Sequence, residues 1–124
     1  MPKPVSADEL RQLVVEYHKK QEDEKERFLT NMRRDMDKLI ESQIAQDPYI
    51  RNHASLGITN QTLFRREDVH DRLKYSAYKP EVHREVCATM KKYVDRVQEY
   101  NGIKLEFLTH TDSYNNCEIK GRWD

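Results

Sequence analysis

Between Pro4 and Pro48 the chain contains neither glycine nor proline, and the start of that run carries helix-initiation chemistry. Ser6 and Glu9 have the spacing of a capping box, and Val5 with Leu10 that of a hydrophobic staple. The run predicts one helix over residues 6–46, closed by Pro48, whose ring cannot continue it. At 1.5 Å per residue that helix is roughly 60 Å long, whereas a globule of this chain length has a radius of gyration of only ~14 Å. Such a helix must project, bend back on itself or find a partner.

Its apolar residues form a stripe of helical period: Leu10, Leu13, Val14 and Tyr17, then Phe28, Met32, Met36, Leu39, Ile40 and Ile44. From His18 to Arg27 there is no apolar side chain, about three turns of charge held helical by spacings such as Asp23 to Arg27 and Glu16 to Lys20. Two sticky ends thus flank a solvated neck. Either the helix bends at the neck and both ends fold back, or it projects and associates, and the second reading is preferred. The stripe drifts nearer 3.6 than 3.5 residues per turn, which argues against a long regular coiled coil. Tyr17, Phe28, Met32, Met36, Leu39 and Ile44 are accordingly assigned as the partner-binding residues.

After Pro48, residues 48–60 read as an ordered loop anchored by Ile50, Leu56 and Ile58. A second helix is expected over 61–77, with Leu63, Val69, Leu73 and Ala77 inward. The third starts at Pro80, shows the stripe Val82, Val86, Met90, Tyr93 and Val97, and has Gly102 for its left-handed stop, with Ile103 capping against Val97. The period then switches to 2. Ile103, Leu105 and Phe107 alternate with charges, as do Cys117, Ile119, Gly121 and Trp123, across the turn chemistry of residues 111–116. A C-terminal β-hairpin covered by the third helix follows. The expected fold is α+β in a single domain, residues 1–124: a long helix over 1–47, then helices plus a hairpin over 48–124.

Composition sets limits on function. Charged residues make up 35%, yet 22 basic side chains balance 22 acidic ones, so the chain lacks the self-repulsion that keeps hydrophilic sequences unfolded. Zero net charge also removes the sustained positive field of a generic phosphate binder. No run approaches the ~20 apolar residues of a membrane span, and the first residues have no apolar signal core. A cytoplasmic protein that does not engage a membrane is expected, its two cysteines, Cys87 and Cys117, reduced and buried, and the sequon at Asn60 unused.

Chemistry-bearing patterns are sparse. Asp112 followed by Glu118-Ile119-Lys120 matches the metal-binding signature of restriction-type nucleases, in which Glu and Lys share one strand face. The short separation and the lack of a following helix favour solvated strand residues instead. The histidines at 18, 53, 70, 83 and 110 show no helical metal-site spacing, and there is no glycine-rich phosphate loop, so neither metal nor cofactor is expected. Arg65 and Arg66, beside Phe64 and following Arg51 and His53, are the candidate phosphate contacts.

In layout, with a long charged helix and a terminal hairpin closed by Trp123, the chain resembles small viral and phage proteins. That resemblance implies an assembly or host-interaction role, in the cytoplasm or in a virion. The expected function is non-enzymatic protein binding through the first helix, as a homo-oligomer or a subunit of a larger complex. The alternative is a nucleic-acid-associated protein or metal-dependent nuclease using Asp112, Glu118 and Lys120.

Overall fold

Ser6 caps the first helix as its spacing predicts: its hydroxyl oxygen accepts from the Glu9 amide at 3.2 Å. The helix that follows, α1, runs unbroken through Ala7–Gln46 in a computed structural model that describes residues 4–110 and 116–124. It does not bend at the charged neck. The ion pairs that close there and at its start are Asp8 with Arg11 and Glu22 with Lys25, one residue tighter than the expected i, i+4 pairs.

Burial divides α1 in two. Phe28, Met32, Met36, Ile40 and Ile44, a row at spacing four, are buried together with Leu29 and pack into the core. Ahead of Phe28 no residue of α1 is buried. The core is completed by α4 (Pro80–Val97), which contributes Val82, Val86, Met90 and Tyr93, and by Phe64 and Ile119 of the sheet. A polar seam borders the contact between the two helices: Arg33 pairs with Glu85, Arg96 donates to Asp37 at 2.6 Å, and the Tyr93 hydroxyl donates to Glu41 at 3.2 Å.

Pro80 opens α4 and its apolar stripe is buried as the periodicity requires. The left-handed stop, however, falls at Gln98, φ 61°, and not at Gly102. Asn101 and Gly102, with φ of 49° and 85°, instead form a tight turn between two strands, β2 (Glu99–Tyr100) and β3 (Ile103–Thr109). With β4 (Cys117–Arg122) the hairpin of the sequence reading is present, paired from Lys104↔Arg122 to Thr109↔Cys117. It is the centre of a four-stranded antiparallel sheet, order β1-β4-β3-β2.

The outer strand β1 (Asn60–Arg65) and the short helix α3 (Arg66–Arg72) replace the helix expected over 61–77. A register shift between Thr62 and Phe64 buries the consecutive Leu63 and Phe64, so the strand lacks the alternation that would have revealed it. The Asp68 carboxylate accepts from the Arg65 amide at 2.8 Å and starts α3. Gly121 is required opposite this bulge, because a Cβ there would strike Leu63 and come within 2.8 Å of Ile103.

Two further expectations are corrected. The segment after Pro48 is a short helix, α2 (Ile50–Ser55); Ile50 packs on the core, but Leu56 and Ile58 are exposed and lie outside it. Cys87 and Cys117 are not reduced: they form a disulfide with Cα atoms 5.9 Å apart, tying α4 to β4. Their separation of 30 residues carries no framework spacing, so only the packing of helix on sheet brings them together.

Candidate interaction surface

Residues 7–20 of α1 have every side chain exposed and touch no other element closely enough to be covered. Within them, Leu10, Leu13, Val14 and Tyr17 stand at i, i+3, i+4 and i+7, which places them on one face. Each is more than half exposed. Ten large apolar side chains are exposed among the described residues, and Val5, Leu10, Leu13, Val14, Val15 and Tyr17 are six of them, all within one 13-residue stretch. Such a concentration on a polar chain makes this stretch the candidate interaction surface.

The helix survives there without burial because it grows from a docked half. Nucleation, the costly step, is met by the buried row from Phe28 onward, and each further turn adds hydrogen bonds. Asp8 and Glu9 in the first turn complement the positive end of the helix dipole. Residues 7–27 therefore extend about 30 Å from the body as a rod.

The root of this rod is held by rings. Phe28 stacks on Tyr75 at 4.5 Å and on His70 at 5.1 Å, and His83 meets His70 edge-on at 4.7 Å. His70 Nδ1 lies 3.2 Å from the Tyr75 carbonyl oxygen, to which it donates as a neutral imidazole. Burial pulls the His70 pKa down to about 4, with the positive potentials of His83 and Arg66 adding to the effect. Burial also raises the Tyr75 phenol. Both side chains are nine-tenths or more buried, and the ring cluster is core packing that fixes the exit direction of α1.

Of the assigned partner-binding residues, only Tyr17 faces solvent. Phe28, Met32, Met36 and Ile44 belong to the core of the chain and Leu39 packs against it, so they cannot supply an exposed stripe. The exposed stripe instead comprises Leu10, Leu13, Val14 and Tyr17, whose helical spacing is visible in the sequence.

The candidate phosphate contacts differ in exposure. Arg51 and Arg65 are exposed, while Arg66 is buried and its guanidinium donates twice to Asn116 Oδ1, at 2.8 and 3.3 Å. Arg65 lines a cleft of about 590 Å³ together with Asp47 and Asp68, acids that oppose an anion. Asp112 lies outside the described residues. Glu118 accepts from Thr62 Oγ1 at 2.8 Å and faces His110 Nε2 at 3.3 Å, while Lys120 lies between Thr62 and Glu106 on the neighbouring strands. Glu118 is thus engaged within the sheet, and among the described residues no cluster of three metal-ligating side chains forms. No described helix is long and apolar enough to cross a membrane.

No protein-family model matches the chain, and neither a curated protein nor a solved structure matches it.

Proposed function

We propose that this protein is a non-enzymatic protein–protein interaction module whose docking element is the free half of α1. The observation that carries this reading is the apolar stripe Leu10, Leu13, Val14 and Tyr17, solvent-exposed on a helix that the remainder of the fold holds away from the body. An amphipathic helix presented in this way suits helix-in-groove or helix-on-helix recognition, with anchors at i, i+3, i+4 and i+7. The alternative, nuclease chemistry on the outer sheet face, gains no support from Glu118, which is engaged by Thr62 and His110. The test is a photo-crosslinking side chain placed in the full chain, one position at a time, at 10, 13, 14 and 17 and on the far face at 12 and 19, in cells that make the protein. Protein adducts confined to the first four positions are expected. Adducts spread evenly around the helix, or absent from it, overturn the reading.

A further inference from the structure

We infer that the cleft beside Arg66 and His70 binds a phosphate group, as the free ion or as a small phosphomonoester, with the buried guanidinium of Arg66 as its anchor. The cleft, about 420 Å³, is lined from α3, from the segment that follows it and from α4, apart from the exposed stripe. Arg66 lines it and is only 8% exposed. A cation buried so deeply is ordinarily matched by a carboxylate, because taking a lone ion out of water is costly. Among the described residues Arg66 has no such match. Its acceptor is the neutral amide oxygen of Asn116, which takes two of the five N–H donors that a guanidinium carries and leaves the others for a ligand. Glu67, Asp71 and Lys74 also line the cleft, but all three are exposed and screened by water, whereas the charge of Arg66 acts through a low dielectric.

Two neighbouring polar groups are unsatisfied as well. His70 and Tyr75 line the same cleft, and His70 Nε2 and the Tyr75 hydroxyl, both shut off from solvent, have no hydrogen-bond partner among the described residues. Native interiors seldom leave such groups unpaired, and here two of them accompany an unmatched cation. Both atoms lie behind the cleft surface. Tyr75 belongs to the irregular stretch 73–79 between α3 and α4, with Lys74 at a φ of 55°, and a shift of that stretch brings both atoms to the ligand.

The three groups together select the anion. Arg66 and the Tyr75 hydroxyl donate, whereas His70 Nε2 accepts: Nδ1 donates to the Tyr75 carbonyl oxygen, and burial, then the potentials of His83 and Arg66, keep the ring neutral. The occupant must therefore accept hydrogen bonds from two groups and donate one to a third. An ionised carboxylate or a sulfate only accepts. A phosphate group, whose second proton leaves only near about pH 6, has oxygens for Arg66 and Tyr75 and an O–H for Nε2.

The test is a titration of the full chain at pH 6 and constant ionic strength, followed by the ring resonances of His70 and Tyr75. Inorganic phosphate should shift them saturably, and sulfate and acetate should bind at least tenfold more weakly, since neither offers a proton to Nε2. Glycerol phosphate separates the two sources: tighter binding than inorganic phosphate identifies an organic ester as the occupant, and equal binding identifies the free ion. Arg66→Gln should weaken phosphate binding at least tenfold. Tyr75→Phe, which removes an unpaired hydroxyl, should melt no lower than the parent without phosphate and bind phosphate about tenfold more weakly, so the test stands even if Arg66→Gln does not fold. No saturable shift up to about 50 mM phosphate, equal binding of sulfate, or binding unchanged in either variant overturns the site. None of these outcomes bears on the stripe of α1, whose crosslinks test the function proposed above separately.

Discussion

The two halves of α1 carry comparable apolar stripes on one continuous helix, yet one half is core and the other is surface. From Phe28 to Ile44 the row recurs every four residues and faces α4 and the sheet; from Leu10 to Tyr17 a similar row faces water. The difference lies in what folds alongside. Residues 48–124 supply one layer of helix and sheet, wide enough to cover about five turns of α1. The charged neck, whose ions lose little by remaining solvated, sets where the cover ends. A stripe of helical period therefore establishes that a helix needs a partner surface, without saying whether that surface belongs to the same chain.

Three experiments sharpen or break the contrast. The largest effect is expected from placing the same charge in each half. Met32→Asp buries an unpaired carboxylate in the core and should cost ~4 kcal/mol or more, enough to unfold the chain. Leu13→Asp should leave the thermal melt by circular dichroism unchanged. Equal destabilisation by both would show that the first half is packed after all.

Reducing the disulfide acts on the body alone. Cys87–Cys117 closes a loop of 30 residues, for which loop-closure entropy predicts a loss of ~3–4 kcal/mol on reduction. The denaturation midpoint should fall in the presence of a dithiol, and so should that of Cys87→Ala, while helical signal from residues 7–27 outlasts neither transition because it depends on the docked half. An unchanged midpoint would mean that the link contributes nothing to the body's stability.

The smallest effect lies at the boundary between the halves. His70, against Phe28, keeps its pKa near 4 in the folded chain and regains about 6.5 when unfolded. Between those values the unfolded chain binds a proton that the native chain refuses, so stability falls as pH drops from about 6.5 to about 4 and levels off below. Because the ring borders an open cleft, solvent screens part of the shift, and a loss of ~1–2 kcal/mol is expected. Urea titrations across that range should show the slope, and His70→Gln should flatten it.

Much of this architecture was legible in the residues. The Ser6 cap, the span of α1, the start and stripe of α4 and the alternation of β3 and β4 all express local rules, in which each residue's neighbours within a turn or a strand carry the signal. The candidate site was half legible: Leu10, Leu13, Val14 and Tyr17 were recognisable as a stripe, but not as the exposed one. Strand β1, the α2 turn, the place of Gly102 and the disulfide were not legible. Strand β1 and the disulfide depend on pairing between residues far apart in the chain, as when Thr62 lies beside Lys120 or Cys87 meets Cys117, whereas α2 and the Gly102 turn are local elements too short to show a period.

The sequence by itself determined that the chain would make a 40-residue helix, a second amphipathic helix and a closing hairpin, because backbone propensity, capping and hydrophobic period act over a few residues. Only the tertiary structure decided which apolar rows became interior. Burial is a property of the whole packed body: Leu63 and Phe64 are drawn in together by a bulge, Leu56 is left out, and the core ends at Phe28, ahead of which no described element packs over the helix.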